Sequence, residues 1–112
     1  MKTAKEWLEL FEKENFIDVN NWKETIPALI VVGALQFGTT EKAKKKIMKW
    51  MGLKYVWGMK QKVLYFFRCW EKLVENGVFK DGKVYANFDG EDAHIELALL
   101  ITVAQGYLKR VK

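Results

Sequence analysis

The fold is decided by the stretch Leu73-Val74-Glu75-Asn76-Gly77-Val78-Phe79-Lys80-Asp81-Gly82-Lys83-Val84-Tyr85. Asn76-Gly77 is a typical helix stop, because Gly takes the left-handed backbone conformation without steric cost. Asp81-Gly82 predicts a two-residue type I′ turn between antiparallel strands. A helix that ends at Asn76 and a hairpin that turns at Asp81 are therefore expected in direct succession.

The turn also fixes the register of the hairpin. It pairs Lys80 with Lys83, Phe79 with Val84 and Val78 with Tyr85. Side chains along a strand alternate between its two faces. We therefore expect the inward-facing side chains to be Phe79, Val84, Ala86 and Phe88. The outward-facing side chains are expected to be Val78, Lys80, Lys83 and Tyr85.

The helix before the hairpin is predicted to run from about Val56 to Glu75, after a turn at Gly52-Leu53-Lys54. An apolar stripe at spacings of three and four predicts its core face. That stripe consists of Met59, Val63, Phe66, Phe67, Trp70, Leu73 and Val74. The reverse face carries Gln61, Tyr65, Arg68 and Lys72.

The preceding helix, about Glu41 to Met51, divides into two faces, and Thr39 or Thr40 can cap it. Ala43, Ile47, Trp50 and Met51 share one face, and Lys42, Lys45, Lys46 and Lys49 share the other. Like charges at these spacings repel one another, which a bound phosphate backbone would relieve. A solvated helix face is the alternative interpretation of this lysine stripe.

The remaining segments are predicted to be helical. Thr3-x-x-Glu6 can form a capping box before an amphipathic helix. Pro27 is expected near the start of an all-apolar helix that occupies the centre of the core. A last helix, from Asp89 or Asp92 to about Arg110, is apolar around nearly its whole circumference. Such a helix is either sandwiched within the domain or paired with a second chain.

Charge is segregated along the chain. The 112 residues suffice for one domain, and the formal net charge is +5. Residues 39–85 hold twelve of the nineteen Lys and Arg against four acids, whereas acids outnumber Lys and Arg on both sides of this range. Segregated positive charge attracts a polyanion.

The order of core helix, basic helix, turn, long helix and hairpin over residues 26–88 resembles the winged helix-turn-helix family of DNA-binding regulators. By position, Glu41–Met51 resembles the first helix of the motif and Val56–Glu75 the recognition helix. The sequence Leu73-Val74-Glu75-Asn76-Gly77-Val78 resembles the junction into the wing. The stretch from Gly52 to Gly77 is longer than in many such domains.

The resemblance implies a mainly α fold with a small β-hairpin, and extra helices at both ends of a single domain spanning residues 1–112. It implies a non-enzymatic transcriptional regulator that binds double-stranded DNA as a homodimer. The DNA-contacting residues would be Lys42, Lys45, Lys46, Lys49, Lys54, Gln61, Tyr65, Arg68, Lys72, Lys80 and Lys83. The terminal helix, residues 91–110, would form the dimer interface through Leu97, Leu100, Ile101, Ala104 and Leu108.

Other functions fit parts of the same pattern. A protein–protein adaptor or inhibitor, of the kind found in phages or archaeal viruses, would present the basic face to an acidic partner. RNA binding is a third interpretation, although no ribonucleoprotein signature is present. Trp57 falls toward the polar face of its helix, where it would stack on a sugar or base or join a partner interface.

Catalytic and metal-binding motifs are not found in the sequence. It contains no Ser, and its one His and one Cys, His94 and Cys69, belong to no metal-ligand cluster. No Gly-rich phosphate-binding loop is present. We therefore expect no enzymatic activity, no metal and no cofactor. One Cys and the absence of an apolar leader segment predict a cytoplasmic protein without a membrane span.

Overall fold

The computed structural model describes residues 2–15 and 17–85. These residues form four α-helices, α1 (Ala4–Lys13), α2 (Trp22–Phe37), α3 (Glu41–Trp50) and α4 (Lys60–Glu75). One 3₁₀ turn, Trp57–Met59, precedes α4, and a two-stranded antiparallel sheet, β1 (Phe79–Lys80) and β2 (Lys83–Val84), follows it. The described part is therefore mainly α with a small hairpin, as the sequence predicts.

α1 begins with the predicted capping box. Thr3 accepts a hydrogen bond from the Glu6 backbone N–H, and the Glu6 carboxylate accepts one from the Thr3 backbone N–H. The hydrogen bonds from Thr3 lower the pKa of Glu6. Trp7 and Phe11 are fully buried against α2. This contact attaches α1 to one side of the central helix.

α2 is the centre of the core, which confirms the prediction from its all-apolar sequence. A run of residues from Ala28 to Ala34 is buried around the whole helix. The predicted position of Pro27 near the start of the helix is wrong, because Pro27 is the sixth residue of α2. The helix starts earlier since the Asn21 side chain caps it by accepting a hydrogen bond from the Lys23 N–H.

α3 packs on α2 with its predicted apolar face. Thr40 caps the helix by accepting a hydrogen bond from the Ala43 N–H. Gly33 of α2 allows the close approach, because a Cβ at this position would lie 2.9 Å from Cγ2 of Ile47. Ala43 and Ile47 are buried as predicted, and Met48 is buried as well.

α4 begins at Lys60, because residues 57–59 form a 3₁₀ turn where the sequence predicts the first α-helical turn. Phe66, Trp70 and Leu73 of the predicted core stripe are buried. Val74 is not, and 49% of its surface is exposed. The predicted apolar stripe is wider than the surface that α2 and the hairpin cover. Val74, at the edge of the stripe, is therefore exposed to solvent.

The hairpin has the predicted register, with Phe79 opposite Val84 and Lys80 opposite Lys83. Asp81 and Gly82 both have positive φ, as a type I′ turn requires. The outward orientation predicted for Val78 is wrong, because Val78 is fully buried. Its N–H donates to the Leu73 carbonyl in a Schellman motif, which places an apolar residue against the helix end. Helix termination, not strand alternation, therefore decides the orientation of Val78.

Several sequence predictions concern residues outside the described part of the chain. These are the terminal helix 91–110 with its dimer contacts at Leu97, Leu100, Ile101, Ala104 and Leu108, the inward positions Ala86 and Phe88, and His94. Within residues 2–15 and 17–85, none of the helices combines the length and apolar character needed to cross a membrane.

Candidate nucleic-acid interface

The lysine stripe of α3 lies on the exposed side of the helix. Lys42, Lys45, Lys46 and Lys49 are all exposed, and they are opposite the buried Ala43 and Ile47. Side chains three and four positions apart on a helix are neighbours, so these four ammonium groups form one surface. The lysine stripe is therefore a cationic face that meets no acid on α3 after Glu41.

Lys44, which the sequence pattern did not indicate as a site residue, lies on the other side of α3. Its ammonium nitrogen is 3.7 Å from Oε2 of Glu41 and 5.1 Å from the ring centroid of Phe67. Its side chain is only 20% exposed. Lys44 thus joins α3 to the aromatic side of α4. At 3.6 residues per turn, Lys44 falls between the apolar Ile47 and Met48 around the helix, which was the signal available in the sequence.

The hairpin tip is hydrogen-bonded to the segment that precedes α3. The Thr39 N–H donates to the Gly82 carbonyl over 3.2 Å, and the Thr39 hydroxyl donates to the Lys83 carbonyl over 3.3 Å. Gly38 permits this approach, because a Cβ there would lie 3.1 Å from the Gly82 oxygen. Since Lys80 and Lys83 are both exposed, the tip adds two cations beside the first turn of α3.

The α4 residues selected from the sequence are not all equivalent. Gln61, Arg68 and Lys72 are exposed. Tyr65 is partly buried, and its hydroxyl donates a 3.1 Å hydrogen bond to the Lys23 carbonyl. Its ring lies edge-on to Trp22, with centroids 5.4 Å apart. Tyr65 therefore contacts α2, which its spacing on the predicted outer face did not indicate.

The Lys23 carbonyl can accept the hydrogen bond from Tyr65 because Pro27 leaves it without its usual helical donor. In an α-helix the N–H of residue 27 would donate to the carbonyl of Lys23, but proline has no N–H. Burial raises the pKa of the Tyr65 phenol, and the neighbouring Cys69 raises it further. A raised pKa extends the pH range over which the phenol can donate to the Lys23 carbonyl.

Cys69 lies one turn beyond Tyr65 and is half-buried. Burial raises the pKa of its thiol above the ordinary value. Because the thiolate is the reactive form, a raised pKa lowers the reactivity expected of this thiol.

Positive charge extends without interruption through the centre of the described chain. Residues 42–70 contain eight Lys and one Arg and no Asp or Glu. Acids return on the last turns of α4, where Glu71 and Glu75 are exposed beside Arg68 and Lys72. Positive charge is therefore most concentrated in α3 and the first part of α4, and acids partly offset it at the end of α4.

An exposed aromatic segment lies within this positive region. Trp57 is 93% exposed and Tyr55 is 79% exposed. They border a groove of about 320 Å³ at the start of α4, which Lys60, Leu64 and other side chains line. The sequence pointed to Trp57 but not to Tyr55, Lys60 or Leu64. The lysine-flanked run Lys54-Tyr55-Val56-Trp57 was the available signal.

The structure thus joins the hairpin tip to Thr39, just before α3, and it leaves Lys54 exposed on the loop that leads to α4. It also places Tyr65 in contact with α2, through the hydrogen bond to Lys23 and the ring of Trp22. No family model, no curated protein and no solved structure matches this chain.

Proposed function

We propose that this protein is a winged-helix regulator that binds double-stranded DNA without catalysing a reaction. The attachment of the hairpin tip to the segment that caps α3 is the observation that carries the proposal. It holds the hairpin that carries Lys80 and Lys83 next to Thr39, two residues before α3 begins. A phosphate backbone is the ligand that would match the exposed ammonium groups of the hairpin and of α3.

The lysines of α3 and of the hairpin tip would contribute most of the affinity, through sequence-independent phosphate contacts. Lys80 and Lys83 are directly opposite each other across the two strands. Like charges in this position destabilise a strand pair. A phosphate bound between or beside them would remove that repulsion, which supports a role for the hairpin as a wing.

Sequence preference would come from the exposed polar side chains of α4. Gln61 can form a bidentate pair with adenine, and Arg68 can form one with guanine. Lys72 would contact a neighbouring phosphate. Tyr65 is less suited to a base contact than its position in the sequence indicates, because its hydroxyl is already hydrogen-bonded to Lys23.

The proposed functional unit is a homodimer held by the segment 91–110. Leu97, Leu100 and Leu108 are among the apolar residues that give this segment its dimerisation pattern. A two-fold dimer would present two α4 helices and two wings to a pseudo-palindromic site. Leu100→Glu should then convert the dimer to a monomer, as measured by light scattering.

The test of DNA binding is a charge reversal with a matched control. Lys45→Glu with Lys49→Glu should weaken binding to all duplex sequences alike, and it should reduce the slope of log affinity against log salt by about 2, at roughly 0.9 per phosphate contact. The control is Lys5→Glu with Lys13→Glu, which changes the net charge equally on exposed positions of α1. Equal losses in both double variants would contradict a localised site.

Arg68→Ala tests the specificity element separately. The loss of a bidentate guanine contact costs about 1–3 kcal/mol at one base pair and leaves other positions unchanged. Binding to a panel of single-base-pair variants measures this effect. No duplex affinity in wild-type protein at low salt would contradict DNA binding, and would favour an adaptor that uses the same lysines on an acidic protein.

A further inference from the structure

An apolar groove lies where the 55–57 loop meets α4. Its walls are Tyr55, Val56 and Trp57 on one side and Val63, Leu64 and Phe67 on the other, and its volume is about 320 Å³. Trp57 is 93% exposed and Leu64 is 51% exposed. Contiguous apolar surface of this kind on an otherwise charged region marks an interaction site.

The aromatic wall of the groove is held in place. The ring of Tyr55 stacks on the ring of Phe67, with centroids 6.3 Å apart and an interplanar angle of 29°. Phe67 in turn contacts the ammonium group of Lys44 over 5.1 Å. The inner face of Tyr55 is therefore supported, and its high exposure leaves the ring accessible to a ligand that stacks.

Lysines lie on either side of the aromatic loop in the sequence. Lys54 precedes the aromatic loop, Lys60 lines the groove, and no acid occurs between residues 42 and 70. An occupant that combines negative charge with apolar groups fits the apolar lining and these two lysines. Unpaired nucleobases on a phosphate backbone have this combination, and aromatic platforms beside basic side chains are the usual means of binding them.

We infer that this groove binds the unpaired bases of a single-stranded nucleic-acid segment, which stack on Tyr55 and Trp57 while Lys54 and Lys60 contact the flanking phosphates. The inference rests on the proposed function and specifies its substrate as a duplex that carries a single-stranded extension. Base recognition is tolerant of sequence, because the lining supplies rings and aliphatic groups and few hydrogen-bonding groups.

The experiment compares a blunt duplex with the same duplex carrying an overhang of about eight nucleotides. Wild-type protein should bind the overhang substrate at least about tenfold more tightly than the blunt one. Trp57→Ala should abolish this gain, and Trp57→Phe should keep most of it because a ring remains. Val74→Ala is the matched control, since Val74 is an exposed apolar residue near the other end of α4.

A fluorescent base analogue in the overhang provides a readout that does not depend on a variant. Stacking on Tyr55 and Trp57 should quench it on binding of the wild-type protein, and the same analogue within the blunt duplex should not respond. The Trp57→Ala protein should melt at the wild-type temperature, because Trp57 has few contacts to lose.

Equal binding of both substrates by the wild-type protein would overturn the groove inference and leave the duplex proposal intact. Overhang binding that depends on Trp57, without any blunt-duplex binding at low salt, would overturn the duplex proposal instead. If Trp57→Ala changes only self-association in light scattering, the groove belongs to a protein interface and the inference is wrong.

Discussion

The hydrogen bond between Tyr65 and the Lys23 carbonyl offers the most direct test of the packing of α4 on α2. Tyr65→Phe removes only the hydroxyl, because the edge-on contact with Trp22 needs only the ring. A neutral hydrogen bond contributes about 0.5–1.5 kcal/mol net. Since Lys23 is exposed and water can partly replace the donor, we expect a loss of about 0.5–1 kcal/mol.

Pro27→Ala supplies the second half of a double-mutant cycle. Alanine restores a backbone N–H to the Lys23 carbonyl and removes an interior-proline penalty of about 3 kcal/mol. Loss of the rigidity that proline gives the unfolded chain offsets part of this gain, by about 0.4–1 kcal/mol. Pro27→Ala alone should therefore stabilise the protein by about 2–2.5 kcal/mol. In this background Tyr65→Phe should cost almost nothing, because the carbonyl already has a donor.

Urea denaturation followed by circular dichroism measures all four proteins of the cycle. The expected coupling between the two positions is about 0.5–1 kcal/mol. If Tyr65→Phe has the same cost with and without Pro27, the missing N–H of proline is not the reason for the contact, and the explanation given for Tyr65 fails.

The burial of Tyr65 gives a pH dependence of stability with a defined sign. Burial raises the pKa of Tyr65 in the folded protein above that of an unfolded tyrosine, about 10. The stability associated with its protonated form is thus complete below the unfolded pKa and is lost as the pH rises through the folded pKa. The difference in stability between wild type and Tyr65→Phe should consequently shrink at alkaline pH.

Three further predictions concern the core and the thiol. Gly33→Ala should lower the free energy of unfolding, measured in urea, by about 1–2 kcal/mol, because its methyl group would press on α3. The control, Gly58→Ala, has no atom within 4 Å of the new methyl group and should change the free energy of unfolding by less than about 0.5 kcal/mol. Val78→Ala should cost about 2 kcal/mol because Val78 is fully buried, against less than about 0.5 kcal/mol for the exposed Tyr85→Ala; equal costs would contradict the Schellman explanation. Cys69 should react with a thiol reagent more slowly in the folded protein than in urea, since burial raises its pKa.

The elements that the sequence predicted correctly are those with a strong local cause. The capping box at Thr3, the Thr40 cap and the Asp81-Gly82 turn each involve side chains or backbone within a few residues. Short-range hydrogen bonds and positive φ at a turn do not depend on distant packing. These signals therefore gave the order of the elements and the register of the hairpin.

The errors occurred where two local signals competed or where tertiary packing decided. Pro27 is favourable at the first position of a helix, but the Asn21 cap and a hydroxyl from α4 allow α2 to start earlier. Val78 follows the helix-end motif instead of the strand alternation. No pattern within α4 could show that Tyr65 would face a carbonyl forty-two residues earlier in the chain.

The distribution of acids suggests which part of the proposed interface carries affinity. Arg68 and Lys72 are three residues from Glu71 and Glu75 respectively, so their fields are partly cancelled for a distant phosphate. The α3 lysines and the hairpin tip have no such neighbours beyond Glu41 and Asp81. A duplex would therefore be anchored by α3 and the wing, and α4 would act through short-range contacts that need correct docking first. Charge reversal on α3 should then reduce the association rate, whereas truncation of Arg68 should mainly raise the dissociation rate.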